Sequence, residues 1–222
     1  MGQMIDFQRP DGGRTPAWLA DAGAGRPGVI VIQEWWGLND QIRGVADRLA
    51  AAGYTALAPD LYRGRLASSA DEANHMMTGL DFVDATHQDL RGAAAHLAAT
   101  CPRVGVMGFC MGGALTVSAA VHVPGLSAAV CFYGIPPREL ADPAHITVPF
   151  MGHFATRDGW CTPQAAGTLE TALRGAGQQP EIHHYDAEHA FFNQSRPEVF
   201  DAASADLAWS RTLDFLRRHL GA

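Results

Sequence analysis

Arg103-Val104-Gly105-Val106-Met107-Gly108-Phe109-Cys110-Met111-Gly112-Gly113-Ala114-Leu115-Thr116-Val117-Ser118-Ala119-Ala120-Val121 joins two patterns of different kind. Residues 103–109 form a short apolar run with β-branched members, which predicts a buried strand. Residues 111–121 are rich in alanine and predict a helix. A single cysteine stands at the junction, with Gly108 and Gly112 two residues to either side. This is the G-x-S-x-G arrangement of a nucleophile elbow with Cys in place of Ser. The chemistry needs a tight strand-to-helix turn, so that the nucleophile stands clear of the backbone. Glycines on both sides relieve the crowding. The helix beginning there aims free N–H groups and its positive end at the sulfur, which favours the thiolate. A cysteine alone is more often a small core residue, and that reading stands beside the catalytic one.

The same alternation extends outward along the chain. Strands are expected at 28–34, 54–60, 103–109, 127–134, 148–155 and 181–187. Helices are expected from Asn39 and Asp40 to Gly53, where Ile42, Val45, Ala46, Leu49 and Ala50 recur at helical spacing, and at 81–99, 111–121, 162–177 and 198–219. Residues 61–80 suggest a loop leading into a short helix, and 3–20 one or two antiparallel edge strands. Strands alternating with helices mean a mostly parallel central sheet covered on both faces, the α/β class. At about 100–200 residues per domain the chain could be one large domain or two small ones, and with no composition break, linker or internal repeat residues 1–222 are expected to form one.

Composition excludes several functions. Hydrophobic residues make up 47% and charged residues 18%, which supplies a core and argues against disorder. The net charge of −7 leaves no footprint for nucleic acid or an anionic membrane. All 16 basic residues are arginine, which excludes a Schiff-base lysine and the lysine of a phosphate-binding loop. Cys101, Cys110, Cys131 and Cys161 form no C-x-x-C pair and no zinc spacing, so no metal and no cofactor is expected. The N-terminus lacks a signal-peptide pattern and a myristoylation pattern, and no apolar run approaches the ~20 residues of a membrane span. A soluble cytoplasmic protein with reduced thiols is expected, as a monomer or small homo-oligomer.

A nucleophile needs a base and a group to orient the base. His189, in Asp186-Ala187-Glu188-His189-Ala190-Phe191-Phe192, follows the strand 181–187. Asp158 follows the strand 148–155. Both stand at the carboxyl edge, where parallel sheets place their chemistry. The order Cys110, Asp158, His189 is that of α/β hydrolases, at intervals of 48 and 31 residues. His153, His183 and His184 lie inside strands and are expected to be packed or surface residues. Asp142 and Asp186 are rivals to Asp158, the latter too near His189 to lie easily on its far side. Glu34 ends an apolar strand at the same edge. A charge there is costly unless it is used, and a salt bridge to an arginine is the structural alternative.

Gln33-Glu34-Trp35-Trp36-Gly37-Leu38-Asn39-Asp40, Ala56-Leu57-Ala58-Pro59-Asp60-Leu61-Tyr62, Gly108-Phe109-Cys110-Met111-Gly112-Gly113, Arg157-Asp158-Gly159-Trp160-Cys161-Thr162-Pro163 and Ala187-Glu188-His189-Ala190-Phe191-Phe192-Asn193, in this order, resemble the dienelactone hydrolase family. The match runs from about residue 28 to the end. The resemblance implies Cys110 as nucleophile, His189 as base and Asp158 as its orienter. It implies that Glu34 contacts the thiol and helps deprotonate it when substrate arrives, and that the backbone N–H groups of Met111 and Trp35 form the oxyanion hole. The activity it implies is carboxymethylenebutenolidase-type hydrolysis of a small ester or lactone through a cysteine acyl-enzyme.

Two departures bear on the substrate. The family has an arginine four residues after the catalytic histidine, where this chain has Asn193, and a further arginine in the segment that is 61–80 here. Asn cannot form the charged fork that Arg makes with a carboxylate, so an altered preference, for neutral substrates, is expected. Arg63, Arg65, Arg157 and Arg196 are the nearest replacements in sequence. Trp35, Trp36, Phe191, Phe192 and Asn193 are expected around the substrate. Two other readings remain open: a different elbow-cysteine enzyme such as an amidotransferase, although the His-x-Glu pair usual there is missing, and a non-catalytic binding protein on the same fold.

Overall fold

The computed structural model describes residues 2–221. Eight strands build one sheet: β1 (Gln3–Gln8), β2 (Arg14–Ala20), β3 (Gly28–Ile32), β4 (Thr55–Pro59), β5 (Val104–Phe109), β6 (Leu126–Phe132), β7 (Phe150–Ala155) and β8 (Glu181–Tyr185). Their spatial order is β1-β2-β4-β3-β5-β6-β7-β8. The hairpin β1–β2 and the pair β2–β4 are antiparallel, and every other pairing is parallel. The sheet is mostly parallel with helices on both faces, as the alternating pattern predicts.

The alternation of side chains explains the layering. In β3, Val29 and Val31 face one core while Ile30 and Ile32 face the other. In β5, Val104 and Val106 face the second and Met107 and Phe109 the first. Each such side chain contributes about 1.5–3 kcal/mol on burial. Helices α1 (Asp40–Ala51) and α7 (Ala202–Leu220) cover the face of Val29 through Leu49, Phe215 and Leu216. Helices α4 (Arg91–Ala98), α5 (Met111–His122) and α6 (Pro163–Gly175) cover the other through Leu97, Leu115 and Leu169. Both faces buried is why the central strands read as continuous apolar runs.

Several predicted bounds shift. β3 ends at Ile32, so Gln33 and Glu34 lie on the turn beyond it. β6 ends at Phe132, which leaves Tyr133 and Gly134 on the following turn. β8 ends at Tyr185 rather than 187. The helix expected over 81–99 is three pieces: α3 (Phe82–Asp84), a π-helical segment Ala85–Leu90 and α4. That segment carries Asp89 into the interior, where it accepts from Thr15 Oγ1 and, through its two oxygens, from Arg63 Nη2 at 2.8 and 3.0 Å. The short helix after the 61–69 loop is α2 (Ala70–Thr78), capped by Ser69.

His153 is a packed strand residue, as expected. Its ring nitrogens lie 2.8 Å from Tyr185 Oη and 3.0 Å from Thr212 Oγ1. Burial holds it well below the ordinary histidine range. Among the described residues no helix is long and apolar enough to cross a membrane.

Candidate active site

The strand order reverses between β3 and β5, since β4 leaves β3 on one side and β5 on the other. Such a switch point opens a crevice at the carboxyl ends of the two strands. Glu34 and Trp35 follow β3 there, and Cys110 follows β5.

Cys110 has φ +54° and ψ −115°, a region that non-glycine residues occupy only when their surroundings compel it. The surroundings are backbone packed against backbone. A Cβ on Gly108 would lie 2.1 Å from the carbonyl oxygen of Gly112, and one on Gly112 would lie 2.4 Å from that of Ile32. A Cβ on Gly134, beyond β6, would likewise lie 2.1 Å from the carbonyl oxygen of Cys110. The turn is therefore held between β3 and β6. The N–H of Met111, at the first turn of α5, has no intrahelical acceptor and faces the same end of the helix as the thiol.

Asp158 and His189 converge on Cys110. His189 Nε2 lies 3.1 Å from Cys110 Sγ, and His189 Nδ1 lies 2.6 Å from Asp158 Oδ2. The other oxygen of Asp158 accepts from the backbone N–H of Trp160 at 2.7 Å and of Cys161 at 2.8 Å. Burial pushes the Asp158 carboxyl up, but His189 and these two N–H groups outweigh it and leave it below its ordinary value. Burial pushes His189 down, and its hydrogen bonds to Asp158 and Cys110 reverse this, raising it to about 10. The two rival acids are engaged elsewhere. Asp142 pairs with Arg138, and Asp186 pairs with Arg157 on the surface.

Glu34 is buried, and its carboxyl oxygens accept from Tyr133 Oη at 3.2 Å and from Asn193 Nδ2. Burial raises its pKa, against the pull of Asn193, His189 and Tyr133. Without substrate the partner of the thiol is His189, while Glu34 is held by Asn193 and Tyr133. Asn193 is only 1% exposed and its Oδ1 accepts from Ser195, so it lies beneath the site rather than in the space open to substrate. Tyr133, at φ +39°, also sets its ring edge-to-face with the imidazole of His189, 5.1 Å between centroids. Sequence reasoning missed Tyr133. Its signal was its place just past β6, at the same carboxyl edge.

A cavity of about 510 Å³ opens over Cys110 and His189. Trp35, Trp36 and Trp160 form much of its wall, with Ala70 and Met77 from α2 and Val199 from the loop before α7. Phe191 and Phe192 do not line it. They are fully buried and pack on Tyr185, Phe109 and Phe132, because Ala190 at φ +64° turns the chain inward. Arg157 and Arg196 do reach the cavity, but Arg157 pairs with Asp186 and Glu188, and Arg196 with Glu198. Arg63 is spent on Asp89.

The dienelactone hydrolase family model matches residues 16–220. "Protein usf" of Aquifex pyrophilus is 35% identical over 99% of this chain and 100% of its own length. A protein of Aquifex aeolicus named "Putative carboxymethylenebutenolidase" is 30% identical over 99% of this chain and 100% of its own length. A solved structure titled as a "Putative Dienelactone Hydrolase" from Klebsiella pneumoniae superposes with a TM-score of 0.86 at 27% identity, covering 99% of this chain and 100% of that one. Family, fold and elbow agree: the chain belongs to the dienelactone hydrolase family and is a hydrolase acting on esters.

Proposed function

We propose that residues 1–222, as one domain, hydrolyse a small neutral ester or lactone through a thioester on Cys110. The observation that carries this reading is the continuous path Asp158–His189–Cys110 at 2.6 and 3.1 Å, at the floor of a cavity of small-molecule size. Cys110 passes its proton to His189 Nε2, the thiolate Sγ attacks the carbonyl carbon, and the carbonyl electron pair moves onto oxygen. The N–H groups of Met111 and Trp35 stabilise that oxyanion. The C–O bond then breaks, and the imidazolium of His189 gives its proton to the leaving alkoxide. His189 next takes a proton from water, the hydroxide adds to the thioester, and the thiolate leaves with the acid formed.

Asp158 keeps the imidazole in one orientation and stabilises its protonated form. Glu34, buried at the same carboxyl edge, adds an acidic group that favours the protonated form of His189. A neutral substrate fits because each cavity arginine already has a carboxylate partner and Asn193 is bound to Glu34.

The test is a rapid acid quench during turnover of p-nitrophenyl acetate, followed by peptide mass analysis. The expected result is one acetyl group on the peptide containing Cys110, with turnover abolished in Cys110→Ala and largely kept in Cys101→Ala. Full turnover in Cys110→Ala overturns the mechanism.

A further inference from the structure

We infer that Trp160 is a specificity-determining residue, offering its indole to a planar unsaturated ring of the substrate. The inference rests on the ester-hydrolase reading of the same cavity and names the substrate class within it.

Trp160 is 72% exposed, although indole is among the side chains that gain most from burial. Its exposure is not that of a loose loop. Its own N–H and that of the next residue both bind Asp158, and α6 starts two residues further on with Thr162 as its cap. A rigid turn thus projects a large apolar surface at the edge of the cavity that holds Cys110.

The indole is also the outermost member of a row. Trp160 meets Trp35 edge-to-face with centroids 6.0 Å apart and planes at 68°, and Trp35 meets Trp36 at 5.4 Å and 74°. Beyond them the Arg196 guanidinium lies 5.6 Å over the ring of Trp36. All four side chains line the cavity. Edge-to-face contacts use an edge of one ring and a face of the next, so they leave further ring surface open to the cavity. A flat ring can add to such a row by the same edge-to-face or offset geometry, through the aromatic quadrupole. A saturated chain gains contact area alone, for which leucine or valine would serve as well. Trp35 carries one of the proposed oxyanion donors on its backbone, so a ring held by this row lies close to the reacting carbonyl.

The experiment compares kcat/KM for phenyl acetate and cyclohexyl acetate in the wild type, Trp160→Ala and Trp160→Phe. The two esters differ in intrinsic reactivity, but that difference is common to all three proteins and cancels when their ratios are compared. Trp160→Ala is expected to lower the phenyl-to-cyclohexyl ratio by about fivefold to tenfold. Trp160→Phe is expected to restore most of it. Exposed Trp160 supports little of the core, so thermal melts check that both variants fold. Binding is read independently by calorimetry of 2-naphthol with Cys110→Ala, where adding Trp160→Ala is expected to weaken binding by a similar factor. An unchanged ratio, or equal 2-naphthol binding with and without Trp160, overturns the inference. Loss of both ester activities in Cys110→Ala together with an unchanged ratio in Trp160→Ala would leave the mechanism standing and remove this inference alone. Full activity in Cys110→Ala would do the reverse.

Discussion

Asn193 donates its side-chain amide to Glu34, a residue 159 positions earlier in the chain. The bond ties the loop carrying His189 to the turn after β3, which carries one side of the cavity. It also decides what Asn193 is for. A buried amide that must satisfy a buried carboxyl is not available to grip a substrate acid group.

Glu34→Gln tests that pairing. Glutamine keeps the shape, and Tyr133 can rotate its hydroxyl to accept from the new amide. The folded-state pKa of Glu34 is raised by burial, so the native protein holds this proton more tightly than the unfolded chain. The stability linked to Glu34 is therefore full below the ordinary glutamate range and is lost as pH rises toward the raised value. Glu34→Gln removes that loss. Chemical denaturation from pH 4 to 8 is expected to show the variant gaining on the wild type as pH rises. Its kcat is expected to fall, since the imidazolium loses the only charge Glu34 can offer it, that of the ionised carboxylate. A variant that loses stability uniformly while keeping its specific activity would make Glu34 a purely structural acid.

The pair Asp158–His189 sets a second pH dependence with two opposite limbs. Asp158 is held below its ordinary value, so its contribution to stability is present above the unfolded carboxylate range and is lost as pH falls through its lowered value. His189 is raised from 6.5 to about 10, so its contribution is full below about 6.5 and is lost as pH rises toward 10. Urea melts of the wild type should be most stable between these limbs. His189→Gln is expected to flatten the alkaline one and to lower kcat by roughly three orders of magnitude or more. An alkaline limb of unchanged slope in His189→Gln would remove the histidine from this role.

Substrate charge is tested by an ester bearing a free carboxylate and its methyl-capped analogue. The neutral form is expected to have the higher kcat/KM, because an anion must displace Glu188 or Glu198 from an arginine before it gains a charged hydrogen bond. Arg63→Ala is expected to leave this ratio as it is and to cost about 1–3 kcal/mol of stability, since it removes two of the hydrogen bonds on buried Asp89. A tenfold preference for the carboxylate form would overturn the neutral-substrate reading, and Arg196 would then be the first residue to mutate.

The sequence showed the central strands well because both faces of the sheet are covered, so apolar runs stand out between helices of clear period. It showed Cys110 because only a glycine-flanked turn passes so close to Gly112 and β6. It showed Asp158 and His189 because chain order and the carboxyl edge narrow the choice. What it missed lies in contacts that no local pattern encodes. Phe191 and Phe192 follow the histidine and resemble pocket residues, but the backbone of Ala190 turns both into the core. Asn193 marked a change in substrate grip, yet its partnership with Glu34 depends on a loop closing across the molecule. The π-helical segment hides in an alanine-rich stretch whose composition suits a regular helix.

The base and the nucleophile sit on strands that are not neighbours, with β6 and β7 between β5 and β8. Strand β8 is one of the sheet's two edges, paired on one side only. The elbow around Cys110 is built on β3, β5 and β6, whereas His189 reaches it only when β8 has docked at the edge. Until β8 docks on β7 the sulfur has no base, and it remains an ordinary thiol in a partly folded protein. Its rate of alkylation during refolding is then expected to report the docking of β8 on β7, separately from probes of the central strands.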